Sequence, residues 1–160
     1  MNKRGENMKY VINGIFLTQK ITGVQRYGIE LLKALDNIEY ALDIEVLIPE
    51  YENTNIAFKR LKVIKYGKKS KKIWQQYDYM KYLIKNNAIG ICLSCPAPLF
   101  YNRKCIVVIH DMATCAHPEF YSKKYLLRNK IFMLNGVVKA KKILTVSEFS
   151  KLEIEKYLGI

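Results

Sequence analysis

Apolar and polar positions along this chain fall into blocks that switch between a period of two and a period near 3.6. Residues 8–17 (MKYVINGIFL) read as a first strand. After a short loop, Val24, Tyr27, Leu31, Leu32, Leu35 and Ile38 recur at helical spacing and define one apolar face of an amphipathic helix. Its start carries a capping-box pattern, Thr22-Gly-Val-Gln25, in which the threonine hydroxyl faces the N3 amide and the glutamine reaches back to the cap.

Residues 43–48 (DIEVLI) predict a second strand that stops at Pro49, and 61–66 (LKVIKY) a third. From Lys71 to about Asn87 the spacing of Ile73, Trp74, Tyr77, Met80, Leu83 and Ile84 is again helical, and Asn86-Asn87 supplies a left-handed stop. Strands follow at 89–94 and 105–110, the second continuous and β-branched, as a central parallel strand covered on both faces should be. A long helix from Ser122 to Lys139 presents Leu127, Ile131, Leu134 and Val138 on one side. A short strand (KILTVS) and a last helix (EFSKLEIEKYL) ending at Gly159 complete the chain. The β-α-β order with short links predicts an α/β fold with a doubly wound, mainly parallel, Rossmann-like sheet, residues 1–160 forming a single domain.

A chain of 160 residues with half its residues apolar can bury a core of its own, which excludes intrinsic disorder. No stretch reaches the roughly 20 apolar residues that cross a bilayer. The basic start is too short and polar in its apolar part for a secretion signal, which points to the cytoplasm. The net charge of +13 comes from 27 basic residues, of which only Arg4, Arg26, Arg60, Arg103 and Arg128 are arginine. Such a lysine-dominated field draws anions without choosing among them, and lacks the guanidinium forks on which base readers rely. Lys65 to Lys72 holds five lysines in eight residues, a solvated loop or a contact for an anionic surface.

Cys92-Leu-Ser-Cys95 has the spacing of a zinc or redox pair, but no second close ligand pair accompanies it and Pro96 follows directly. Burial as small apolar residues is the simpler reading of the cysteines. There is no GxGxxG and no GxxxxGK[ST], and the four aspartates (36, 43, 78 and 111) include no Asp-x-Asp pair to hold a metal-bound diphosphate.

Three segments fall at the carboxyl ends of predicted strands, where ligands of open parallel sheets gather. In Lys20-Ile-Thr-Gly-Val-Gln-Arg26, Gly23 permits close backbone approach and the amides opening the helix suit a phosphate or sugar hydroxyl; the same residues also serve as a plain helix cap. In Val108-Ile-His110-Asp111, the histidine is placed to bond a substrate hydroxyl with the carboxylate available to orient its ring, although neighbouring strand side chains face opposite ways and a lone histidine is often structural. In Thr145-Val-Ser-Glu-Phe-Ser150, Ser147 or Ser150 caps the last helix, and Ser150 with Glu153 makes another capping box.

Taken together, INGIFLTQKITGVQRYGIELLKAL, CIVVIHDMATCAHPEFYS and KKILTVSEFSKLEIEKYLGI resemble the N-terminal domain of family 4 glycosyltransferases, of the retaining, B-type fold, in particular the bacterial group that builds surface polysaccharides. The resemblance covers nearly the whole chain in the right order. It implies two Rossmann-like domains facing a cleft, no metal and no cofactor, and transfer of a sugar from a nucleotide-sugar donor to a saccharide or lipid-linked acceptor. It implies further that Gly23 meets the donor diphosphate or the acceptor with Gln25 and Arg26 nearby, and that His110 reaches the transferred sugar with Asp111 beside it. Ile15 departs from the pattern, standing where relatives usually carry Arg, and Cys115 replaces a larger apolar residue. The nucleotide-binding second domain is expected just after the final residues and is not in this sequence, so a partner chain supplying it enters the expectation. The alternative is a non-catalytic module held on an anionic membrane, peripheral at the inner face of the plasma membrane; a nucleic-acid partner is disfavoured by the lysine bias.

Overall fold

In a strand buried on both faces, successive side chains must serve two different cores. That division is visible in the computed structural model, which describes residues 9–39, 44–94, 96–101 and 105–160. Val11, Leu47, Cys92 and Val107 join one apolar cluster, and their immediate neighbours Ile12, Val46, Leu93 and Val108 join another on the opposite face. The strands are β1 (Tyr10–Asn13), β2 (Ile44–Ile48), β3 (Lys62–Lys65), β4 (Ile89–Cys92), β5 (Cys105–Val108) and β6 (Ala140–Leu144). They form one all-parallel sheet in the order β3-β2-β1-β4-β5-β6, a doubly wound Rossmann-like arrangement.

Helix α1 (Gly23–Asp36) covers one face through Ile29 and Leu32. Helices α2 (Lys71–Gln76) and α3 (Asp78–Lys85) cover the other through Trp74, Tyr79 and Leu83. A four-residue helix α4 (Ala113–Ala116), the long α5 (Lys123–Lys139) and α6 (Glu148–Leu158) complete the chain. Gly159 closes α6 in the left-handed conformation, and Asn87 does the same after α3 with φ of 50°.

Several expectations need correction. The first strand ends at Asn13 and gives way to a 3-10 turn, Ile15–Thr18, whose Ile15 and Phe16 are buried. Met8 and Asp43, at the starts of the first two expected strands, lie outside the described residues. The helix expected over 71–87 is two, broken at Tyr77. The break turns the buried Asp78 back to accept the Lys69 N–H at 3.0 Å, against Gly67, whose φ of +81° few other residues adopt. Ile73, Tyr77 and Ile84 consequently face solvent, and Tyr79 takes the buried position. Ile38 is also exposed, its expected place on the core face of α1 being filled by Ile29 and the buried Asp36. The strand at 105–110 is paired on both sides but is second from the edge, the centre being β1 and β4.

Asp36 ties the end of α1 to the entry of β3. Its carboxylate accepts the N–H groups of Lys59 (2.6 Å), Arg60 (2.8 Å) and Leu61 (2.8 Å). Burial by itself would raise the pKa of this group, but the backbone donors of Leu61, Lys59 and Arg60 outweigh it and hold the pKa below the ordinary carboxylate value. A depressed folded-state pKa contributes stability that is present above the unfolded value and lost as pH falls through the folded one. Urea midpoints measured down from pH 5 should therefore decline below the ordinary carboxylate range, and more gently in Asp36→Asn; identical acid profiles would remove Asp36 from this role.

Candidate functional site

The carboxyl ends of β1, β4, β5 and β6 gather the three segments singled out in the sequence. His110, two residues past β5, is their common point. Its Nε2 lies 2.7 Å from the Leu93 carbonyl oxygen beyond β4. A carbonyl only accepts, so Nε2 carries the proton, and in the neutral ring Nδ1 is left as an acceptor. The Tyr27 ring, from the first turns of α1, meets the imidazole edge-on with centroids 5.1 Å apart. From the other side the Ser150 hydroxyl donates to the His110 carbonyl at 3.0 Å.

Ser147 or Ser150 was expected to cap the last helix. Ser147 is the N-cap of α6, accepting the Ser150 N–H at 3.1 Å, and Ser150 lies inside the helix with its hydroxyl turned to His110. The capping box with Glu153 is not formed, because a residue within the first turn is no longer at the cap position. Asp111 also differs from its expected part. Its Oδ1 accepts the Ala113 N–H at 3.0 Å, fixing the turn into α4, while the ring of His110 is oriented by the Leu93 carbonyl.

The loop before α1 is built as the sequence indicates. Thr22 is the N-cap, and Gln25 Oε1 accepts the Thr22 N–H at 3.2 Å and its hydroxyl. Gln25 Nε2 donates to Gln19 Oε1 at 3.0 Å, so both polar atoms of Gln25 hold the loop. Gly23 is exposed, and no atom lies within 4 Å of where a Cβ would sit. The fold therefore does not require glycine there, and the first amides of α1 are open to an incoming group. Arg26 is exposed and pairs with no carboxylate among the described residues.

His110 and Asp111 line one wall of a cleft of about 620 Å³ whose other walls come from α2 and α5. The cleft exists because the β4–β5 connection, residues 93–104, has no helix among its described residues. A parallel crossover usually places one there. Sequence reasoning missed Tyr27 as a ring partner, having assigned it to the core face, and missed Tyr121, Tyr125 and Arg128, which also line this cleft.

No protein-family model, curated protein or solved structure matches the chain. Function is thus argued from the site itself.

Among the described residues no three of His, Cys, Asp or Glu come together in a metal-binding group. Cys95 of the CxxC lies outside the described residues. Cys92 and Cys105 are buried on adjacent strands, and the Cys105 thiol is pushed far up by its hydrogen bond with Cys92 and by burial, which makes it a poor nucleophile. In the lysine-rich segment, Lys65 donates to Asn53, Lys68 lies 3.9 Å from Glu50 and Lys69 stands over the Tyr77 ring.

Proposed function

We propose that this chain is the acceptor-side half of a retaining glycosyltransferase, working with a nucleotide-binding domain supplied in the same polypeptide or by a partner chain. What supports the reading is the convergence on His110. The helix that follows the Thr-Gly-Val-Gln-Arg segment reaches it through Tyr27, and the Val-Ser-Glu-Phe-Ser segment through Ser150, at the carboxyl edge of a Rossmann-like sheet. In this reading the open amides at Gly23 receive the donor diphosphate or an acceptor hydroxyl, with Arg26 adding positive charge beside it. His110 Nδ1 accepts a hydroxyl of the transferred sugar, and Asp111 shapes the turn behind it. The anomeric C–O bond of the donor breaks, the nucleoside diphosphate leaves and takes up the proton of the acceptor hydroxyl, and the acceptor oxygen bonds to the same face of the sugar. Combining the chain with a nucleotide-binding partner domain and following hexose transfer from UDP-, GDP- and ADP-sugars tests the reading. Transfer that needs both parts supports it; a nucleotide-loaded complex that transfers nothing to any saccharide or lipid-linked acceptor counts against it.

One observation favours a second reading, attachment to an anionic membrane. The aliphatic stripe of α5 faces solvent: Leu127, Ile131, Leu134 and Val138 are 63, 51, 44 and 80% exposed. The opposite side of the helix faces the sheet, with Gly136 closest to Val107. Lys123, Lys124 and Lys130 are exposed on the same helix. Among the described residues no helix is long and apolar enough to cross a membrane, but a basic amphipathic helix can lie in the interface plane. Co-sedimentation with phosphatidylglycerol vesicles should rise with anionic lipid content, and Ile131→Asp should weaken it about tenfold. Binding indifferent to lipid charge removes this reading.

A further inference from the structure

The cleft between α2 and α5 carries a more specific arrangement than an incidental gap. Its volume of about 620 Å³ lies in the range of small-molecule sites. On the α5 side the Tyr121 and Tyr125 rings are stacked, with centroids 5.4 Å apart and planes at 13°. The Arg128 guanidinium lies 5.2 Å from the Tyr125 centroid and pairs with no carboxylate among the described residues. The one carboxylate in the lining, Asp111, already accepts the Ala113 N–H. On the β4 side the Ser94 hydroxyl is buried without a hydrogen-bond partner.

These groups form a complementary set. Tyrosine faces take the C–H face of a pyranose ring, an unpartnered hydroxyl pairs with a ring hydroxyl, and a guanidinium fork fits a carboxylate or phosphate. We infer that the cleft binds an acidic hexopyranose, its ring against the stacked Tyr121–Tyr125 pair and its anionic group on Arg128. The inference deepens the sugar-transfer reading and rests on it for the place of this sugar as part of the acceptor. A uronic acid and a sugar phosphate share the required chemistry.

The test is binding to the full chain, without nucleotide or second domain, by NMR shift titration with glucuronate, glucose 1-phosphate, glucose and inorganic phosphate. One or both acidic sugars should bind at least tenfold more tightly than glucose and than inorganic phosphate, and the stronger of the two identifies the anionic group. Arg128→Gln should weaken that sugar about tenfold or more, with an unchanged melting temperature because the side chain is exposed. Tyr125→Leu should weaken acidic and neutral sugars together. Equal binding of glucose and both acids, phosphate binding as tightly as glucose 1-phosphate, or indifference to Arg128→Gln each overturn the inference. Because binding is read without transfer, its failure beside active transfer rejects this subsite alone, and its success beside failed transfer rejects the enzyme reading alone.

Discussion

His110→Ala, in the reconstituted two-part enzyme, should lower sugar transfer about a hundredfold or more while leaving the fold nearly intact. The ring is held by one hydrogen bond to the Leu93 carbonyl and one edge-on contact with Tyr27. A single hydrogen bond of this kind is worth about 0.5–1.5 kcal/mol to stability. A hundredfold loss of rate corresponds to about 2.7 kcal/mol of lost transition-state stabilisation, larger than the structural bond supplies. The comparison therefore separates the two roles. His110→Gln refines it: an amide can donate toward the Leu93 carbonyl without presenting the aromatic acceptor nitrogen. Its urea midpoint should stay near that of the native chain, with activity still low. Loss of activity that merely follows loss of folded protein in both variants would make His110 a structural residue.

Much of this site was legible because of what a parallel sheet does. Every strand of such a sheet emerges at the same edge, so segments following predicted strands must converge there even though Gly23 and His110 lie 87 positions apart and His110 and Ser147 37 apart. Thus the segments that carry Gly23, His110 and Ser147 could be assigned to one edge of the sheet from the strand order alone. Which atoms meet was not legible. His110 and Asp111 are adjacent in sequence, yet the partners of His110 are a carbonyl from the β4 loop and a ring from α1. Ser147 and Ser150 both looked like caps because serine is common there, and one helical turn of register decided that Ser147 caps while Ser150 reaches His110. The stripe on α5 shows another limit. Its periodicity identifies a helix, but periodicity does not say whether a neighbour exists to cover the apolar side, and here the β4–β5 crossover holds no helix among its described residues. The same omission opens the cleft beside His110, so it could not be read from the α5 sequence.

The largest single-atom effect on stability is expected at Tyr79. This residue is wholly buried under the sheet, and its hydroxyl donates to the Val11 carbonyl at 2.8 Å and accepts the Ile91 N–H at 3.1 Å. One side-chain oxygen thus bridges β1 and β4, the two central strands. Tyr79→Phe preserves the ring and removes both hydrogen bonds made by the oxygen, while the parallel register still pairs the Ile91 N–H with the Val11 carbonyl. Each lost bond is worth about 0.5–1.5 kcal/mol, against the roughly 5–15 kcal/mol that holds a domain folded. Gly90 makes the bridge possible, since a Cβ there would lie 2.9 Å from the Tyr79 hydroxyl and 2.9 Å from Leu83 Cδ1. Gly90→Ala should therefore destabilise the native chain, and cost less in the Tyr79→Phe background, where one of the two close contacts is gone. Urea unfolding followed by fluorescence of the chain's one tryptophan, Trp74, whose ring centroid is 6.0 Å from that of Tyr79, reports both variants and their coupling. Additive losses, or a Tyr79→Phe chain as stable as the native one, would mean that the strands are joined without the hydroxyl. A coupled loss would identify Gly90 and Tyr79 as one structural unit, and would explain why a central strand of a buried sheet carries a glycine where a β-branched residue ordinarily packs better.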